Sequence, residues 1–274
     1  MTETEAGIGI VGAGRAGGAL ARQLSRRGTP PEWIHSRTPA RARRLAAEVG
    51  ARTLPTAAEV LRRASLTLLA VPESPLPELA QGLSEQLRSE RLRGHLVAHL
   101  AGRLGPEVLR PLANLGMSIG VFHPLAPIPD GDPDCLEGTY VSIEAAPAAA
   151  RRLRQLARQL GCRPFQLGPA DRALYHAAAV LAGVLPVELE GLGERLARQA
   201  GGGRDLERGL RALYAASARN VMRLGPERGL SGPLARGEQP TVDAHLRALA
   251  RAQPELAGIY AAIEQAARRE PADH

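Results

Sequence analysis

The sequence predicts an α/β protein, a doubly wound and mainly parallel sheet followed by an all-α domain. Three observations carry that expectation. Short apolar runs alternate with amphipathic helical stretches up to residue 168, the pattern of parallel strands joined by crossover helices. A glycine-rich turn, Gly12-Ala13-Gly14-Arg15-Ala16-Gly17, directly follows the first apolar run. From Pro169 onward the strand pattern gives way to alanine- and leucine-rich stretches, broken at 201–203, 225–226 and 231–233. The change sets two expected domains, 1–168 and 169–274.

The elements follow in order. Residues 7–11 read as the first strand, 18–27 as its helix, 31–35 and 38–49 as the second pair, and 52–54 as a short third strand. Thr56 and Glu59 have the spacing of a capping box and open the next helix. Residues 65–71 form a buried strand ended by Pro72, after which Ser74 and Pro75 are expected to cap a helix. Residues 96–100 and 119–122 give two more strands, and 124–138 a loop rich in Pro, Asp and Gly. A strand at 139–144, a helix at 147–160 and a strand near Phe165 complete the sheet domain.

Composition narrows the chemistry. The chain has 274 residues, is 44% hydrophobic and carries +7, enough apolar surface for folded cores rather than disorder. All 35 basic residues other than histidine are arginine. Without lysine there is no Schiff base, no P-loop lysine and no lysine acid, since arginine keeps its proton. In 151–160 the arginines face away from Leu153, Leu156, Ala157 and Leu160, a solvated face rather than a nucleic-acid surface. The longest apolar run, 177–187, is short of the roughly 20 residues of a membrane span and contains Pro186. The acidic start at residues 1–5 lacks the features of a signal peptide, so a cytoplasmic protein is expected. Cys135 and Cys162 offer no metal pair, and no metal is expected.

The glycine turn points to a dinucleotide. Gly12 permits the tight turn, Gly14 a close approach of backbone to a diphosphate, and Gly17 tight helix–strand packing. Together with Arg15 and Ala16 they would present a helix N-terminus to the anion. Where an acid would bind adenosine ribose hydroxyls, this chain has Ser36-Arg37-Thr38, with Arg41, Arg43 and Arg44 one turn on. An arginine and two hydroxyls suit a 2′-phosphate, so the expected cofactor is NADP(H).

With these residues the chain resembles the Rossmann-like NADP oxidoreductases that carry a helical C-terminal domain of unknown function, of the DUF2520 type. These are distant kin of pyrroline-5-carboxylate reductase, prephenate dehydrogenase and ketopantoate reductase. The resemblance rests on Gly12 to Gly17, Ser36-Arg37, Ala70-Val71-Pro72, His99-Leu100-Ala101-Gly102, Phe122-His123-Pro124-Leu125, the stretch 173–180 and the stretch 231–237. It implies a C-terminal domain like that of 6-phosphogluconate dehydrogenase, cofactor contacts from Val71 and Pro72, and an active site between the domains. Relatives read Ser where this chain has Ala101, and Ser-Asn where it has Gly183-Val184. Those losses imply either a different substrate or impaired catalysis.

Hydride transfer needs a proton partner, and without lysine histidine leads. His123 is expected just beyond a strand end, braced by Pro124, and resembles the His-Pro element of prephenate dehydrogenases. His176, beside Tyr175, and His99 are the other candidates, each equally readable as structural. His35 and His95 read as structural, His245 and His274 as surface. Tyr175 and Arg236 are expected to bind substrate, Arg236 by gripping a small carboxylate. The reading is an NADPH-dependent reductase of a small oxo- or imino-acid, ketopantoate-like or, alternatively, an imine reductase resembling pyrroline-5-carboxylate reductase. A non-catalytic NADPH-binding regulator is the other alternative. The apolar run 177–189 leads to an expected homodimer.

Overall fold

The computed structural model describes residues 7–167 and 171–267. The expected boundary at 168–169, the acidic start at 1–5 and His274 lie outside the described residues. The chain divides into two compact units, Met1–Pro186 and Val187–His274.

In the first unit the strands are β1 (Ile8–Val11), β2 (Trp33–His35), β3 (Arg52–Thr53), β4 (Leu66–Leu69), β5 (Leu96–His99), β6 (Ser118–Leu125), β7 (Tyr140–Ala145) and β8 (Arg163–Gln166). The helices between them are α1 (Arg15–Arg26), α2 (Pro39–Val49), α3 (Ala57–Arg63), α4 (Leu76–Gln86), α5 (Arg110–Ala113) and α6 (Pro147–Gln159), and α7 (Arg172–Gly183) follows β8. The sheet order is β3-β2-β1-β4-β5-β6-β7-β8, parallel except for the antiparallel β6–β7 pair. The doubly wound, mainly parallel sheet expected from the alternating pattern is therefore present.

Strand residues point alternately to the two faces, and the core follows suit. Ile10, Leu68, Ala98 and Phe122 pack with Leu20, Leu24, Leu45 and Leu153 on one side. Their neighbours Val11, Leu69 and Val97 pack with Val60, Leu61, Leu76 and Leu112 on the other. Both faces are buried, which is why the central strands read as continuous apolar runs.

Two local expectations need correction. Ser74 does not cap α4; Pro75 occupies the N-cap and no side chain accepts there. Thr56, by contrast, does cap α3, its hydroxyl accepting the Glu59 N–H at 3.2 Å. His123 lies within β6 rather than beyond a strand end, because antiparallel pairing with β7 extends β6 to Leu125. Pairing with β5 stops at Val121, so Pro124 sits where one edge carries no ladder.

The rest is helical: α8 (Leu185–Gln199), α9 (Arg204–Gly229), α10 (Pro233–Arg236), α11 (Gln239–Ala252) and α12 (Pro254–Ala267). Gly201 to Gly203 separate α8 from α9, and Gly225 (φ 79°) with Pro226 kinks α9. Residues 172–199 form one helical stretch of 28 residues, long and apolar enough to cross a membrane by length and composition. The sequence reading excluded any such segment by stopping at the apolar run's end. The helix instead continues through Pro186, which is tolerated in the first turn of α8.

Candidate active site

The glycine turn has the geometry its sequence implies. Gly12 adopts φ 114°, and a Cβ there would lie 2.2 Å from the Ala70 carbonyl. A Cβ on Gly17 would lie 1.9 Å from the Gly12 carbonyl. Around Gly14 a Cβ would meet nothing within 4 Å, so the open space expected for a diphosphate is present. Gly14 is the N-cap of α1, with no side-chain acceptor and no acid in the first turn. Those N–H groups suit an anion. The turn is fixed by the Gly12 N–H donating to His35 O at 2.7 Å and the Ala70 N–H to Val11 O at 2.8 Å. Ala70, Val71 and Pro72 therefore lie beside it.

A cleft of about 400 Å³ adjoins the turn, lined by Arg15, Arg22, Arg41, Arg44 and Asp130 among others. Arg22 is bonded to Glu48 and to Gly131 O, and Arg44 pairs with Glu48. Arg15 and Arg41 have no ion pair among the described residues, as has exposed Arg37. Ser36 Oγ accepts the Thr38 N–H at 3.3 Å. The residues present thus fit a dinucleotide with an additional phosphate.

A second cluster forms around β6. Asp171 caps α7 through the Ala173 N–H at 2.8 Å. Arg172, buried, donates to Glu144 on β7 at 2.6 Å and to Gly102 O at 2.9 Å. This anchor places Tyr175 and His176, one turn later on the same face, over His123. His123 Nδ1 lies 2.8 Å from Tyr175 Oη, and the rings of His123 and His176 stand edge to face, 5.9 Å apart. A Cβ on Gly102 would lie 2.5 Å from the His176 ring and 2.8 Å from His123 Nε2, so only glycine leaves the two rings in place.

Burial, with help from His176 and Arg172, pushes His123 down to about 4. That corrects the expectation of a histidine titrating near neutrality. Burial pushes the Tyr175 phenol up. Burial also raises the Glu73 carboxyl, but the Arg103 N–H bond and the charges of His176 and Arg103 outweigh it and hold the group below the usual range.

The structure separates the remaining candidates. His99 is fully buried, with Nε2 3.0 Å from Gly105 O and Nδ1 accepting the Ala101 N–H at 3.2 Å. Both nitrogens are committed to backbone, so His99 offers none to a substrate. His35 and His95 bond to Leu54 O and Ala64 O, as structural histidines do, and exposed His245 bonds to Tyr260. Arg236 is exposed on α10 in the second unit and paired with Glu238. Sequence reasoning missed the roles of Arg172, Glu144, Glu73 and Gly102. Their partners lie 28 to 70 residues away, and no local pattern signals such contacts.

His123, Tyr175 and His176 stand at the polar end of a cleft of about 580 Å³, walled by residues 124–127 and by the α7 face up to Val184. Gly12, Ala70, His99 and His123 lie on or just beyond the neighbouring strands β1, β4, β5 and β6. Three strand spacings, about 14 Å, separate the glycine turn from His123, a span an extended dinucleotide can bridge.

Among solved structures, one similar to this chain is a candidate NADP oxidoreductase from Bacteroides fragilis, at 26% identity and TM-score 0.78, covering 97% of this chain and 99% of that one. A protein from Thermotoga maritima matches at 20% identity and TM-score 0.74, covering 96% and 100%. An imine reductase from Myxococcus stipitatus, in complex with NADP+, matches at 19% identity and TM-score 0.66, covering 96% and 93%. No curated protein matches. Residues 1–124 match the Rossmann-like domain, and residues 139–267 match the domain of unknown function DUF2520.

Proposed function

We propose that this chain is an NADPH-dependent reductase of a carbon–oxygen or carbon–nitrogen double bond. The observation that carries the reading is the His123–Tyr175 hydrogen bond at the polar end of a cleft within reach of the glycine turn. The Bacteroides fragilis and Myxococcus stipitatus proteins, both associated with NADP, support the cofactor class.

The bound dinucleotide supplies the hydride. Gly14, Arg15, Ala16 and Gly17 hold its diphosphate, and Arg37 and Arg41, with Ser36 and Thr38, hold the 2′-phosphate. At neutral pH His123 is uncharged, and Tyr175 donates its O–H to Nδ1. That fixes the tautomer with a proton on Nε2. As negative charge develops on the substrate oxygen or nitrogen, Nε2 gives up its proton, Nδ1 takes the phenolic proton, and water restores the phenol. His176, edge to face with His123, completes the polar end.

The acid substrates expected from the sequence, an oxo-acid such as ketopantoate or an imino-acid, share this reaction at the reacting carbon. The chain also works as a homodimer, since Leu174 and Leu181 on α7 and Leu213 and Met222 on α9, none of them in the cleft wall, are exposed.

NADPH oxidation against a panel of ketones, oxo-acids and cyclic imines tests the reading. Turnover is expected, and His123→Ala should lower kcat about 10²- to 10⁴-fold while leaving NADPH affinity unchanged. His123→Gln keeps a donor but cannot pass a proton, and should be nearly as slow. NADPH binding without turnover of any member would favour a regulatory protein instead.

A further inference from the structure

We infer that the cleft beside His123 takes an uncharged, largely apolar ketone or imine and rejects carboxylates of the same shape. The inference rests on the reductase reading for the chemistry but concerns only what the cleft admits.

The wall is the first argument. Only His123, Tyr175 and His176 among its lining residues have polar side chains, and all the others are Ala, Gly, Pro, Leu or Val. A volume of about 580 Å³ lies within the usual range for small-molecule sites of roughly 300–1,000 Å³.

The second argument is the state of the nearby cations. Arg172 stands against the polar end, with Cζ 5.9 Å from the Tyr175 ring. Its charge is already matched by Glu144, and its Nη1 is given to Gly102 O. The remaining nitrogen, Nη2, is buried, has no partner among the described residues and presents less than 1 Å² of surface. A ligand in the cleft cannot reach it without displacing the anchor of α7. Arg103, an exposed side chain, pairs with Glu73 through Nε and is not among the lining residues. Arg236 is paired with Glu238 within its own unit.

The third argument is the sign of what remains. His123 is uncharged at neutral pH. Glu73 and Glu144 pair with the two arginines and offset them. A carboxylate entering the cleft would lose its hydration and find no guanidinium among the lining residues, which is unfavourable, whereas a carbonyl or imine needs one donor and finds it at His123. Gly183 and Val184, neither with a hydrogen-bonding side chain, lie in the wall itself and fit the same apolar preference.

The test uses one matched pair, 4-methylcyclohexanone and 4-oxocyclohexanecarboxylate, the same ring ketone bearing methyl or carboxylate. Saturation-transfer NMR on the full chain loaded with NADP+ should show the ketone bound and the acid at least tenfold weaker. With NADPH, kcat/KM should favour the methyl compound by a similar factor. Ala126→Arg, which adds a guanidinium to the wall, should narrow or reverse both preferences. Equal or tighter binding of the acid to the unmutated protein would overturn the inference and leave the reductase reading intact. Binding of neither compound would also overturn it, the cleft then being covered by a second copy. Binding of the ketone without turnover would instead count against the reductase reading and uphold the selectivity.

Discussion

A histidine sharing Nδ1 with a phenol, and packed beside a second histidine and a guanidinium, is easier to keep neutral than to charge. The native pKa of His123 lies near 4, below its ordinary 6.5. Between those values the unfolded chain binds a proton that the native site refuses, so stability should fall as pH drops from about 6.5 toward 4. Activity should show no histidine inflection near 6.5, because the reacting group stays uncharged across that range; a kcat–pH profile checks this, and a clear loss centred there would refute it. Gly102→Ala should push apart the two rings that a Cβ would meet at 2.5 and 2.8 Å. Kcat should drop at least about tenfold with NADPH affinity unchanged, since the dinucleotide contacts lie elsewhere. Tyr175→Phe should slow turnover by a comparable factor, and steady-state kinetics with fluorescence titration of NADPH separate both effects from cofactor loss. At this scale the sequence was informative about identity but not about state. His123 and Tyr175 were legible as candidates, yet the depressed pKa comes from burial by segments 50 residues apart. His99 looked equally reactive, and only the turn back to the Gly105 carbonyl shows that it is structural.

At the level of elements, the glycine turn and the helix it opens were the most legible part of the chain. Gly12 and Gly17 are dictated by backbone approaches of 2.2 and 1.9 Å, a constraint that writes itself into the sequence. The strands of the sheet centre were equally plain, since burial on both faces leaves 66–69 apolar except for Thr67 and 96–98 apolar throughout. The extent of β6 was hidden by Pro124, which reads as a stop until the antiparallel β7 is seen beside it. The place of α7 was hidden differently. Its composition matches the helical half, but Arg172 ties it to Glu144 and Gly102 in the sheet unit, and compact packing divides the chain at Pro186 instead. Cofactor choice belongs to this scale too, because α2 carries Arg41 and Arg44 to the cleft beside α1. NADPH should bind much more tightly than NADH, and Arg37→Asp should narrow or reverse that preference by replacing attraction with repulsion. Equal affinities of the unmutated protein for the two cofactors, measured by fluorescence titration, would count against the 2′-phosphate site.

For the whole molecule, the apolar surface left uncovered is the main physical constraint. The 26-residue α9 has no buried residue among those described, yet carries Leu213 at 62% and Met222 at 89% exposure. On the stretch formed by α7 and α8, Leu174, Leu181, Val184 and Val187 are each more than half exposed. Single exposed apolar side chains are ordinary, but such a succession along consecutive helices is the kind of surface that soluble chains cover by association. The same stretch could satisfy a bilayer by length, so the two environments make opposite forecasts. A second copy is the better match to the charge pattern. Glu188, Glu190, Glu194, Arg195 and Arg198 crowd the C-terminal half of the stretch, and Glu194 is nearly buried in ion pairs with Arg198 and Arg211. Such a half would be costly to place in hydrocarbon. A homodimer should therefore persist at micromolar concentration without detergent, as light scattering or sedimentation would show. Leu181→Glu combined with Met222→Glu should shift it toward monomer, because each places an unpaired carboxylate in the contact. The variant's helical circular dichroism should survive, since neither side chain is buried within its own unit. A detergent-free monomer of the unmutated chain at those concentrations would refute the dimer, and recovery only with lipid or detergent would favour the bilayer.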